Sequence, residues 1–307
     1  MKTNLSDYFE QFIRYCKIKN LAEATIKYYV ETFNYFRKFH QDDDPKSINQ
    51  TVVENYTLFL QNLSMADVSV NTKLRGLRSI FNYLSKNNVI APVSISLIKA
   101  EKKIKDTFTD EQLKVLLKKP NIKKCRYSEF RNWAIANYMI ATGSRARSII
   151  HVKISDLDFD NLIIKLKNKK SKREKLIPMS ETLSYVLNDY LLFRDHKSDD
   201  EYLFVNEDNS QITVSHLSHT MRKYNRRRGF LNGSVHIYRH TFAKLWIING
   251  GDLFRLQKIL GHTSMSTVRE YVEMFSTDLK QDFEKFNPLD RLNVKRTISM
   301  KRGGKHG

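Results

Sequence analysis

Residues 236–271 read HIYRHTFAKLWIINGGDLFRLQKILGHTSMSTVREY. Helical patterns begin at Arg239, Asp252 and Thr267, separated by Gly250-Gly251 and Gly261. Gly261 fits a helix C-cap. The stretch gathers His236, Arg239, His240, His262 and Tyr271. His236 and His240 stand at i, i+4, the spacing of a helical metal pair, but no Glu follows His236 and no third ligand is present nearby. No metal is expected, and His240 reads as a packed or helix-capping histidine.

Two upstream segments hold the same residue types. Thr142-Gly143-Ser144-Arg145-Ala146-Arg147 sits where a buried helix, Glu129 to Ala141, ends. Leu162–Leu166 and Lys175–Pro178 read as two short strands joined by a lysine-rich turn, so they form a hairpin. A phosphodiester transition state spreads negative charge over its non-bridging oxygens, and two Arg forks can clamp them. The leaving 5′ oxygen needs a proton, which Lys or His can give. A tyrosine hydroxyl can attack if cations lower the cost of ionising it. Arg145, Lys170, His236, Arg239, His262 and Tyr271 could supply that kit without a metal, although spacing alone does not bring them together.

These residues resemble the tyrosine recombinases, or phage-integrase family. The stretch 236–271 is similar along its whole length to the block HxLRHTFAT…G.D…iQ.LLGHssi.tT..Y. ATGSRARSIIHVKISDLD (141–158) is similar to the first Arg box, TGLRisELl.L.w.Did, and KSKREKLIPM (170–179) to the hairpin KG.K.R.vPl. The first ninety residues are similar to the helical core-binding domain. The resemblance implies that Arg145 and Arg239 clamp the phosphate and that Lys170 protonates the 5′ oxygen, with Lys169 and Lys172 as alternatives. It implies an acid/base role for His236, a phosphate contact for His262, and a 3′-phosphotyrosyl link on Tyr271. Neither metal nor high-energy cofactor is implied. The implied partner is double-stranded DNA, bound across two duplexes by a homotetramer, with a hetero-oligomer as the alternative. Three positions depart from the pattern: Ser148 stands where an acidic residue is usual, and Ser144 and Tyr238 each replace Leu.

Upstream, apolar stripes mark helices. They run through Tyr8, Phe9, Phe12, Ile13 and Cys16, with Ser6 as expected cap; Ile26 to Phe39; Val52 to Leu63; and Leu74, Leu77, Ile80, Phe81 and Leu84. Lys73, Arg75 and Arg78 occupy other faces of the last, which suits a solvated or a phosphate-contacting face. Arg147 is open in the same way. Lys169, Lys172 and Arg173 in the hairpin form either a solvated turn or a DNA contact. Residues 93–108 lose periodicity and read as a linker. Thr109-Asp110-Glu111-Gln112 then opens a helix.

The expected fold is mainly α: a helical, SAM-like core-binding domain (1–92), the linker (93–108), an α+β catalytic domain with a small sheet (109–290) and a basic tail (291–307). Two such domains would make a C-shaped clamp around DNA. Residues 277–286, with Leu279, Phe283 and Phe286, are expected to dock on a neighbouring protomer. The chain starts directly at the core-binding domain, the plan of chromosome-dimer or plasmid resolvases and small transposon recombinases.

Composition agrees. The 307 residues carry 53 Lys and Arg against 33 Asp and Glu, a formal charge of +20, which favours a polyanionic partner. Two cysteines exclude a disulfide scaffold, and no apolar run is long enough for a membrane span. A cytoplasmic, nucleoid-associated location is expected. The alternative is a non-cutting DNA-binding protein on the same fold.

Overall fold

The first helix begins at Leu5, not after Ser6. Asn4 is the cap: its Oδ1 accepts from Asp7 N at 2.8 Å, and Asp7 Oδ2 accepts from Asn4 N at 3.1 Å. This reciprocal pair satisfies two otherwise free amides, which Ser6, one residue inside, cannot do. The computed structural model describes residues 4–101, 105–167, 174–231, 233–261 and 264–275. The chain divides into two compact units, Met1–Lys103 and Ile104–Gly307.

The first unit holds α1 (Leu5–Ile18), α2 (Glu23–Phe39), α3 (Gln50–Asn62) and α4 (Asp67–Lys86). The stripe Val70, Leu74, Leu77, Ile80, Phe81 and Leu84 is buried along α4, which packs on the other three helices. Phe36 meets Tyr56 and Phe81 edge-on, each at 5.2 Å between centroids. The aromatic stripes are therefore core. Ile90 and Ile95 join that core, and Asn71 holds Ile98 through two hydrogen bonds of 2.9 Å. The segment 93–108 is thus packed at its start although it has no helical period. It is packed at its end too: Phe108 belongs to the second core, and its amide donates to Thr241 Oγ1 at 2.9 Å.

The second unit opens with α5 (Asp110–Leu116), capped reciprocally by Thr109 and Gln112 as expected. Then come α6 (Tyr127–Thr142), the short α7 (Ala146–Ile149) and a three-stranded antiparallel sheet. Its strands are β1 (Leu157–Asp158), β2 (Ile163–Lys167) and β3 (Glu174–Pro178), in that order. The hairpin register pairs Ile164 with Ile177 and Leu166 with Lys175. Five helices follow: α8 (Glu181–Leu191), α9 (Val214–Arg227), α10 (Val235–Ile248), α11 (Leu253–Leu260) and α12 (Ser266–Phe275). Helix α6 is buried on nearly every side, with Trp133, Ala134, Ile135, Tyr138 and Met139 in the main core against α10 and α8. A smaller core of Ala243, Leu256, Leu260, Val268 and Tyr271 joins α10, α11 and α12. Among the described residues no helix is long and apolar enough to cross a membrane.

Candidate active site

Helix α10 starts at Val235, four residues before the expected Arg239. His236, Arg239 and His240 therefore share its first two turns, and the i, i+3, i+4 spacing puts them on one side. Arg239 is only 6% exposed. Its Nη1 donates to Gly143 O at 2.6 Å and its Nη2 to Leu260 O at 2.9 Å. One guanidinium thus ties the end of α6 to the end of α11.

Both acceptors exist because of local turn chemistry. Gly143 closes α6 at φ +59°, and Gly261 closes α11 at φ +65°, a region that costs little only for glycine. Arg145 leaves the α6–α7 turn and reaches the same place. Its Nη1 donates at 3.3 Å to the carbonyls of Leu260 and Gly261. The carbonyl end of α11 carries partial negative charge, which offsets some of the repulsion between the two cations. Burial, then Arg145, lowers the Arg239 pKa to about 10. Arg145 itself is exposed, so the pair opens to solvent on one side.

Tyr271 on α12 is 2% exposed. Its hydroxyl lies 2.8 Å from His240 Nδ1 and accepts a hydrogen bond from Arg239. Burial, then Lys105, His236 and Arg239, pushes His240 down to about 4, so the imidazole is neutral at pH 7; in its Nε2-protonated tautomer Nδ1 accepts from the phenol. Lys105 Nζ sits over the Tyr271 ring, 4.6 Å from its centroid, and pairs with Glu270 at 3.1 Å. Burial raises the Tyr271 pKa, while Arg239 and Arg145 pull it down.

The structure brings together Arg145, Arg239 and Tyr271, with exposed His236 on the turn before His240. Lys169, Lys170, Lys172, Arg173 and His262 lie outside the described residues, as do 277–286 and 291–307. Three further residues stand at the site. His240 is neither merely packed nor a cap but faces the tyrosine. Lys105 lies in the segment read as a linker, and Lys175 in a strand of the basic hairpin read as a DNA contact. Burial, then Arg239 and Arg145, lowers Lys175 to about 8.

The departures from the motif fit their surroundings. Tyr238 is fully buried, and its hydroxyl donates to Asn225 Oδ1 at 2.7 Å. Ser144 is buried beside Thr142 Oγ1, 3.0 Å away. Ser148 N donates to Arg145 O at 2.8 Å within the turn that carries the arginine. Of the other basic residues, Lys73 Nζ covers the Tyr35 ring at 3.6 Å and Arg78 donates to Ile95 O, whereas Arg75 and Arg147 are exposed.

Comparison with known proteins gives the family and the fold. Residues 106–277 match the phage integrase family, and residues 8–90 match the phage integrase N-terminal SAM-like domain. Tyrosine recombinase XerC of Chlamydia caviae is 27% identical over 310 residues, covering 91% of this chain and 98% of the relative. Two solved structures share the fold. A lambda integrase dimer bound to a COC′ core site has TM-score 0.71 at 13% identity, covering 90% of this chain and 97% of that one. The Tn1549 transposon integrase in complex with circular intermediate DNA has TM-score 0.71 at 17% identity, covering 88% and 95%. The chain belongs to the phage integrase family, the tyrosine recombinases, enzymes that cut and rejoin DNA.

Proposed function

We propose that this chain is a site-specific recombinase of double-stranded DNA in which Tyr271 is the nucleophile. The observation that carries the reading is Arg239: its guanidinium is anchored by the Gly143 and Leu260 carbonyls and bonded to the Tyr271 hydroxyl. Arg145 and Arg239 hold the non-bridging oxygens of the scissile phosphate. Tyr271 Oη attacks phosphorus and its proton passes to a neighbouring histidine, His240 or His236. The bond to O5′ breaks, O5′ takes a proton from Lys170, and a 3′-phosphotyrosyl link remains. His262 adds a phosphate contact. The link keeps the phosphodiester energy, so an incoming 5′ hydroxyl reverses the step on the partner strand without metal or ATP. Four protomers on two duplexes exchange strands, joined through residues 277–286. Arg75, Arg147 and the hairpin residues Lys169, Lys172 and Arg173 contact the DNA backbone, and the charge of +20 makes binding strongly salt-dependent.

In the free protein burial outweighs the arginines at Tyr271, so the phenol stays protonated until DNA arrives. A phosphate between the arginines brings its own negative charge, so the nucleophile must be exposed and aligned at that moment. The test is a covalent trap: nicked suicide duplexes from the sequence flanking the gene, incubated with protein in EDTA and run on a denaturing gel. A shifted band that is absent for Tyr271→Phe is the expected result. No band on DNA that the protein binds would overturn cutting and favour a binder on the same fold.

A further inference from the structure

Strand β3 carries a lysine on its inward face. Side chains alternate along a strand, so Lys175 shares a side with Ile177 and Met179, which are 1% and 3% exposed. Leu176, on the other side, is 57% exposed. The pattern is inverted: a charge points in where an apolar residue would pack, and an apolar residue points out. Burying an ammonium this way is costly unless something compensates.

What it points at is the arginine pair. A Cβ placed on Gly261 would meet Lys175 Nζ at 3.2 Å and Arg145 Nη1 at 3.8 Å, so both cations converge on the carbonyl end of α11. The charges that act on Lys175 are the two guanidiniums of Arg239 and Arg145, both repulsive. Three cations from β3, α10 and the α6–α7 turn therefore face one spot. The carbonyl end of α11 offsets only part of that repulsion, and a bound anion would offset more of it.

We propose that Lys175 is a third ligand of the scissile phosphate, its ammonium binding the same anion as Arg145 and Arg239. This deepens the reading above and rests on it. It is a role separate from that of Lys170, five residues earlier in the sequence. Gly261 belongs to the same device: without a side chain it leaves the space where Lys175 and Arg145 meet.

The test is a charge-pairing cycle in the full chain. Tyr271→Phe serves as a non-cutting background, and duplex affinity is measured with and without Lys175→Met. Two duplexes are compared: the natural one, and one whose scissile phosphate, mapped from the wild-type adduct, is a neutral methylphosphonate. Lys175→Met is expected to weaken binding of the natural duplex by about tenfold or more, and of the methylphosphonate duplex by less than about threefold. Lys175→Arg should keep most of the natural affinity. Equal losses on both duplexes, or none on either, would overturn the proposal; equal losses would mean that Lys175 only holds the hairpin in place. A wild-type protein that forms no adduct at all would instead remove the recombinase reading, and Lys175 as phosphate ligand with it.

Discussion

Tyr271 Oη and His240 Nδ1 lie 2.8 Å apart, joining α12 to the second turn of α10. With the imidazole proton on Nε2, the phenol donates to Nδ1 and accepts from Arg239, so both its hydrogen-bonding directions are used. His240→Ala leaves a buried hydroxyl without its acceptor. The expected cost is about 1–3 kcal/mol, read as a lower urea midpoint at unchanged slope. The adduct should also form more slowly, because the hydroxyl loses the contact that orients it. A variant with wild-type midpoint and adduct rate would contradict the role given to this pair.

The same histidine gives a pH dependence. Burial holds His240 at about 4, against an ordinary value of 6.5. Between these values the unfolded chain binds a proton that the folded chain refuses. Stability therefore rises with pH across that window and is flat above it. Carboxylates titrate in the same range, so the diagnostic is the difference between wild type and His240→Gln. The variant should show the shallower rise, and parallel profiles would contradict the shift.

Gly143 makes the strongest backbone prediction. A Cβ there would sit 2.5 Å from Phe242 Cδ1 and 2.7 Å from Leu260 Cδ2, at φ +59°. Gly143→Ala adds left-handed strain to overpacking against the carbonyl that holds Arg239, for a loss of about 2–4 kcal/mol. Thermal unfolding measures it. Because Gly143 O and Leu260 O both anchor Arg239, adduct formation should fall even at temperatures where the variant stays folded.

What was legible in the sequence follows from how local each signal is. The Thr109–Gln112 cap and the Gly143 terminus are written within a few residues and are found where expected. The stripe along α4 repeats over several turns and cannot mislead. The order of the motifs names Arg145, Arg239 and Tyr271, and the structure brings these three side chains together. The start of α10 does have a local signal, Ser234 at the N-cap, but Gly233 and the histidine and arginine after it obscure the apolar period. His240 was misread because its neighbour is chosen by the packing of α12 on α10, which no local spacing encodes. Lys175 did have a signal, the inverted alternation with Leu176, hidden by the many lysines around it.

Lys105 had no local signal, since its partners stand at Glu270 and Tyr271. It ties the start of the second unit to α12, which carries Tyr271. Its ammonium covers the phenol ring and, after burial, is the largest charge effect lowering His240. Lys105→Met keeps the length of the side chain but removes the charge. The imidazole should then hold its proton to a higher pH, because a repulsive cation is gone while the burial remains. Long-range nitrogen–proton NMR of the His240 ring reads this directly: the midpoint moves up in the variant and the Tyr271 hydrogen bond weakens as the ring charges. The ion pair to half-exposed Glu270 adds little stability of its own, so the unfolding midpoint should move by less than about 1 kcal/mol. An unmoved His240 midpoint would mean that Lys105 lies over the ring without acting on the site.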